Sequence, residues 1–211
     1  MKDLYIIGAG DTGREIVDLA ERINKTGEDW AVKGFIDDNK SLHGTIIDGI
    51  PVLGGIEYFN LIDIDIYAIC AIGNGAIKKR IIESIYNPRV HYATLIDPNV
   101  IMCKGSECGE GSYIFANCVL DINVKVGKHV YVSFNSSISH DTVLCDYVSV
   151  FPGGNVSGKV IVGESTVLGT GTKIIQGLCV SPNVMTGAGS VVVKDITEPG
   201  TYVGIPAKRI K

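Results

Sequence analysis

The chain has no Lys/Arg run longer than a few residues, no apolar stretch long enough to cross a bilayer, and no paired cysteines at metal-ligand spacing. Each absence excludes a class. With a formal charge of only -4, a nucleic-acid stripe or a polybasic membrane anchor has little support, and small molecules are the expected partners. The apolar run at residues 4–7 is too short for a span, and the Gly-rich stretch behind it lacks the form of a signal peptide, so a cytoplasmic location is expected. The six cysteines, Cys70, Cys103, Cys108, Cys118, Cys145 and Cys179, are scattered, without a Cys-x-x-Cys pair or a zinc-type Cys/His spacing. Most of them read as buried thiols that pack as small hydrophobes. Collagen-like periodicity is also missing, so the 26 glycines need another origin.

What is present is a period of six. Stepping by six from Ile96 lands on Met102, Cys108, Ile114, Leu120, Val126, Val132, Ile138 and so on to Val192, with Thr186 the one polar member. Two positions earlier runs a second column of small or apolar residues, among them Ser112, Cys118, Val124, Val130, Thr142 and Val148. Helices and strands have side-chain periods of 3.6 and 2, and neither yields six. A parallel β-helix does: each hexad gives a short strand and a corner, and three hexads close a triangular coil of about 18 residues. Residues 96–193 hold roughly five to six such coils. The corner column reads Asn99, Gly105, Gly111, Asn117, Asn123, His129, Asn135, Asp141 and onward, rich in residues that tolerate positive φ. Periodicity alone leaves open a β-helix without catalysis, such as a scaffold or an ice-binding surface.

The repeat resembles that of the hexapeptide-repeat acyltransferases, in which Leu, Ile or Val is often followed by Gly, as in Val126-Gly127, Val162-Gly163 and Leu168-Gly169. The resemblance implies a left-handed helix, a homotrimer, and acyl-CoA in the groove between neighbouring subunits.

Residues 1–95 read as a separate α/β unit, with residues 96–211 forming the β-helix domain and its C-terminal tail. A first strand at residues 4–7 runs into Gly8-Ala9-Gly10-Asp11-Thr12-Gly13, and Ile16, Val17, Leu19, Ala20 and Ile23 follow at helical spacing. A second strand at residues 31–36 ends in Asp37-Asp38, and a third at residues 64–72 leads into Gly73-Asn74-Gly75 and a helix reaching Tyr86. Gly8, Gly10 and Gly13 fit the G-x-G-x-x-G fingerprint between strand and helix, where backbone N–H groups face a phosphate. Asp37 or Asp38 stands where an acid would meet a ribose. This is one mononucleotide half of a dinucleotide fold, which favours a nucleotide-sugar over NAD. The alternative is that the glycines only permit a tight turn and the aspartates only solvate a loop.

The succession I-I-G-A-G, G-F-I-D-D (residues 34–38), A-I-G-N-G (residues 71–75), hexad coils and G-I-P-A-K (residues 204–208) resembles the sugar acetyltransferases of the NeuD/PglD type across nearly the whole chain. The fold class this implies is an N-terminal Rossmann-like βαβαβ unit followed by a left-handed parallel β-helix. The activity it implies is acetyl-CoA-dependent N-acetylation of a nucleotide-linked amino sugar. The alternative within the family is O-acetylation of a sialic acid or similar sugar. Gly8, Gly10, Gly13, Asp37, Asp38 and Asn74 become the expected substrate contacts.

Acyl transfer to an amine or hydroxyl needs a base near neutral pKa, and His140 in Ser139-His140-Asp141 matches in kind and place the family sequence that carries it. Asp141 is the expected partner of the imidazole, although its place in the corner column is an equally sufficient reason for it. Without the resemblance, an outward histidine is an ordinary surface residue. One departure is Ser149, which occupies the place of the family's second histidine, nine residues after the first. The resemblance further implies Gly158 as a backbone donor to the thioester oxygen, contacts of Ser149, Gly158, Gly187 and Ala188 with CoA, and Lys208, with Lys194 and Arg209, as phosphate contacts. A zinc site of the γ-carbonic-anhydrase kind is disfavoured, because His129 and His140 are eleven residues apart and do not share a column. No metal is expected.

Overall fold

The structure, a computed structural model, describes all 211 residues. It begins with β1 (Lys2–Ile7), whose last four residues are buried, followed by α1 (Asp11–Asn24). This helix presents Ile16, Leu19, Ala20 and Ile23 to the sheet, an apolar stripe at the spacing that makes a one-sided helix. Gly13 is required for the turn between them, since a Cβ there would stand 2.1 Å from the Gly8 carbonyl oxygen. Strand β2 (Trp30–Ile36) lies parallel to β1 on one side, and β5 (Ile66–Cys70) lies parallel to it on the other. Between these come a hairpin, β3 (Ile46–Ile47) and β4 (Ile50–Gly54), and a 3₁₀ turn at Ile56–Leu61. Helix α2 (Gly75–Glu83) and β6 (Val90–Tyr92) complete the unit, and the sheet order is β3-β4-β2-β1-β5-β6.

The Rossmann-like unit is as expected, with one addition and one correction. The crossover from β2 to β5 carries a hairpin and a 3₁₀ turn. Its origin is Asp48-Gly49, both at positive φ (49° and 83°), the dipeptide that favours a two-residue hairpin with the native twist. Helix α2 also stops at Glu83, short of Tyr86: Ser84 and Ile85 already bond three residues back, and Pro88 biases the segment before it away from helix.

From Leu95 the chain coils. Two-residue rungs stack into three parallel sheets: Leu95–Ile96 begins one, Ile101–Met102 the second and Glu107–Cys108 the third, each rung pairing with the one 18 residues on. The second residue of each rung points inward, and Ile114, Leu120, Val132, Ile138, Leu144, Val150 and Leu168 are all fully buried in one apolar column. Burial of each such side chain is worth about 1.5–3 kcal/mol. The polar member, Thr186, is satisfied inside the coil by the Thr172 hydroxyl at 2.7 Å and the Gly169 N–H at 3.0 Å.

The corner column holds positive φ at every sixth residue from Gly105 to Gly189, including Tyr147, Lys159 and Ser165, residue types that rarely adopt it alone. Asn99, at the first corner, does not. Gly200–Val203 extends the first sheet, and Lys208–Arg209 returns antiparallel against it.

The first sheet's outward residues, Leu95, Tyr113, Tyr131 and Ser149, lie beneath the α/β unit and are buried. Tyr113 and Tyr131 stack at 4.8 Å, and Phe115 joins them in a core shared with Ile16, Leu19 and Ile23 of α1. A bidentate ion pair from Arg22 to the buried Asp97 (2.7 and 3.1 Å) ties α1 to the start of the coil. No helix is long and apolar enough to cross a membrane.

Candidate active site

His140 sits at the corner between the rungs Ser137–Ile138 and Val143–Leu144. Its ring is exposed, and its Nδ1 lies 3.0 Å from Asp141 Oδ2. Asn123, one coil earlier, donates to the other carboxylate oxygen at 3.2 Å. These two hydrogen bonds hold Asp141 below the usual carboxylate range, so it stays ionised and favours the imidazole tautomer with hydrogen on Nδ1. Nε2 makes no hydrogen bond within the chain and projects over Gly158 on the following coil, where a Cβ would stand 2.6 Å from it. His140, Asp141 and Gly158 are thus brought together by the 18-residue coil, with Asp141 placed by the left-handed corner (φ 58°) that its column demands.

The second feature lies at the carboxyl ends of β1, β2 and β5, where ligands bind in open α/β sheets. Gly8, Asp37 and Asp38 line a pocket of about 150 Å³ with walls of Ile7, Ile36, Ile56, Ile72 and Ile81. Asp37 is committed to the loop itself, since its carboxylate accepts from the Ala9 N–H and the Asn39 N–H, both at 2.9 Å. Asp38, which also lines the pocket, accepts from the Ile56 N–H at 2.9 Å through Oδ1, and its Oδ2 has no hydrogen-bond partner within the chain. Gly10 opens α1 with no side-chain cap, so the first N–H groups of that helix have no partner from a side chain. Such an end attracts anions.

Other expected contacts fall elsewhere. Asn74 caps α2, its side-chain oxygen accepting from the Ile77 N–H at 3.0 Å. Its neighbours in A-I-G-N-G dock the two units: a Cβ on Gly75 would stand 2.6 Å from the Ser165 carbonyl oxygen, and one on Gly73 3.0 Å from the Phe151 ring. Ser149 corrects its expectation, because it is fully buried under the α/β unit with its hydroxyl accepting from Lys78, and it offers nothing to a ligand in an outer groove. Gly187 and Ala188 follow the rung Val184–Thr186 and so occupy a different edge of the prism from His140. Lys194 and Lys208 share a pocket of about 300 Å³ with Tyr202 and Asp195 at the end of the coil, while Arg209 pairs with Glu198 at 2.8 Å. A single chain therefore does not bring Gly187, Ala188 or Lys208 to His140.

Lys78, which sequence reasoning passed over, is fully buried and donates to the His129 carbonyl oxygen at 2.8 Å and to Ser149 Oγ at 3.2 Å. Its signal was its helical spacing, since Gly75, Lys78 and Ile82 form the buried stripe of α2. His129 stacks on Tyr147 at 5.2 Å with its edge to Tyr92, and burial, aided by Lys78, pushes its imidazole down to about 4. His129 is therefore neutral near pH 7 and its Nδ1 is enclosed without a partner, which does not suit an acid or base exchanging protons with a ligand.

A hexad-coiled β-helix joined to a mononucleotide-type α/β unit, with a carboxylate-braced histidine on an outer corner, defines a hexapeptide-repeat acyltransferase. Comparison with known proteins sharpens this. Residues 3–85 match the PglD N-terminal domain family. The chain is 30% identical over 190 residues to the GDP-perosamine N-acetyltransferase of Escherichia coli O157:H7, covering 89% of this chain and 84% of that protein. Among solved structures it is similar to the acetyltransferase domain of PglB from Neisseria gonorrhoeae FA1090, with a TM-score of 0.87, 27% identity and full coverage of both chains. It is also similar to WeeI from Acinetobacter baumannii AYE, with a TM-score of 0.88, 26% identity and full coverage of both. The chain belongs to the NeuD/PglD-type sugar acetyltransferases, and the left-handed sense of its β-helix is that of the family fold.

Proposed function

We propose that this protein transfers the acetyl group of acetyl-CoA to the amine of a nucleotide-linked amino sugar, with His140 as general base. The observation that carries the assignment of the base is the His140 corner: Nδ1 is engaged by an ionised carboxylate and Nε2 is open to solvent over a glycine. The amine attacks the thioester carbonyl, a C–N bond forms and the C–S bond breaks. His140 Nε2 takes the proton from the amine, and the departing thiolate is the natural acceptor for its return. A backbone N–H near Gly158 is the proposed donor to the developing oxyanion. No covalent enzyme intermediate is needed.

Support for the nucleotide comes from the Gly8 pocket, whose apolar walls and acidic rim suit a planar, hydrogen-bonding base, and from the uncapped start of α1, which suits a diphosphate. Support for the acyl donor comes from the Neisseria domain, also solved in complex with acetyl coenzyme A, to which this chain is 28% identical with a TM-score of 0.86. The E. coli relative makes GDP-linked perosamine the first acceptor to try. Because Gly187, Ala188 and Lys208 lie away from His140 within one chain, the CoA groove is proposed to form between copies in a homotrimer, in the cytoplasm where both substrates are made available.

Calorimetric titration with acetyl-CoA, then with UDP-, dTDP- and GDP-linked amino sugars, tests the reading. Binding of both classes is expected. Binding of acetyl-CoA with no nucleotide would redirect the assignment to O-acetylation of a free sugar, and binding of neither would leave a non-catalytic β-helix.

A further inference from the structure

Lys78 is the one lysine of the chain that is fully buried. From α2 its ammonium crosses the boundary between the two units and bonds two successive coils, at the His129 carbonyl and at the Ser149 hydroxyl. No carboxylate pairs with it, and the titratable groups that interact with it, Cys70 and His129, are neutral at pH 7. Burial pushes Lys78 down to about 8, which leaves it mainly protonated at pH 7, the form that donates to both acceptors. Holding an ammonium out of water without a counter-ion is costly, and two neutral acceptors offset only part of that cost. An apolar side chain of the same length would dock α2 at less expense, so what the lysine adds is direction: its bonds specify one register between helix and coil.

That register matters because of what lies at either end. The segment leading into α2 abuts the Gly8 loop, where a Cβ on Gly8 would stand 3.1 Å from Ile72 Cδ1. Ser149 lies in the same coil as His140, nine residues further on. We propose that Lys78 is a positioning residue for acetyl transfer, fixing the separation between the loop that holds the nucleotide and the corner that carries the base. This rests on the acetyltransferase reading given above. The Arg22–Asp97 pair and the Lys79–Glu164 pair (2.7 Å) secure the units elsewhere. Loss of Lys78 therefore tilts one unit on the other without releasing it. A displacement of the amine by about 1 Å is enough to cost roughly 10²-fold in rate.

The test is Lys78→Met, assayed with acetyl-CoA and GDP-perosamine for kcat, by calorimetry for the Kd of acetyl-CoA and of GDP, and by amide hydrogen exchange. The expected result is a kcat lower by about 10-fold or more, both Kd values within about twofold of wild type, an unlowered Tm, and faster exchange confined to residues 75–83 and 147–150. Ser149→Ala, a smaller change in case the methionine variant does not fold, is expected to lower kcat by a few fold with the same unchanged affinities. An unchanged kcat in folded Lys78→Met overturns the proposal, as does a parallel fall of kcat, both affinities and Tm. Unchanged exchange would show that Lys78 fixes nothing. A wild-type protein that acetylates no amino sugar of the panel overturns the acetyltransferase reading itself, a result separable from the exchange measurement.

Discussion

Gly158 lies against the ring of His140 from the coil that follows it, so close that a Cβ would stand 2.6 Å from Nε2 and Cε1. The glycine is not demanded by its backbone, since φ there is not positive. Gly158→Ala should therefore fold normally and push the imidazole aside. The expected outcome is a Tm within about 2 °C of wild type and a kcat lower by about 10-fold to 10²-fold. Thermal denaturation and initial-rate kinetics on the same preparation check it, and an unchanged kcat would mean that ring placement is not limiting.

Gly75 makes the corresponding contact between the units. Alanine is the better residue for a helix by about 1 kcal/mol, yet here its methyl would meet Ser165 backbone atoms at 2.6–2.7 Å, and backbone does not yield as a side-chain end does. Overpacking of this kind costs roughly 1–3 kcal/mol. Gly75→Ala is expected to lower Tm by several degrees by calorimetry, and a higher Tm would show that helix propensity wins.

His129 predicts a loss of stability in acid. Burial holds its folded-state pKa at about 4, against 6.5 for an exposed imidazole. Between those values the unfolded chain binds a proton that the folded chain does not, so this contribution is complete above about pH 6.5 and is lost as pH falls toward 4. Asn tolerates the left-handed corner (φ 54°) that His129 occupies. His129→Asn should show a flatter fall of Tm between pH 7 and pH 4.5 than wild type, and parallel curves would contradict the assignment.

The coil was legible because each of its six positions answers to one physical demand repeated many times: Ile138 and Leu144 fill the axis, and Asn135 and Asp141 turn the corner. The same repetition explains what single residues hide. Tyr147, Lys159 and Ser165 adopt positive φ because neighbouring coils impose the corner on them. The His140 corner could be read from its motif, since its partner Asp141 is adjacent and Gly158 is one 18-residue coil away. The boundary between the units could not. Gly73, Gly75, Lys78 and Ser149 lie there in contacts spanning about 70 to 90 residues of sequence, and nothing periodic marks such an encounter. Ser149 in particular was expected in the groove because of its distance from His140, but the outward face of its rung is the one the α/β unit covers. The hairpin at Asp48-Gly49 is the reverse case, a local signal that the expectation of three strands left unused.

The central claim, that His140 Nε2 is the base for acetyl transfer, is tested most directly by the kcat of His140→Ala with acetyl-CoA and the amino-sugar nucleotide that wild type binds. The side chain is exposed, so Tm and acetyl-CoA affinity should remain near wild type. A kcat reduced by about 10²-fold or more is predicted, whereas a near-normal rate would remove His140 as the base.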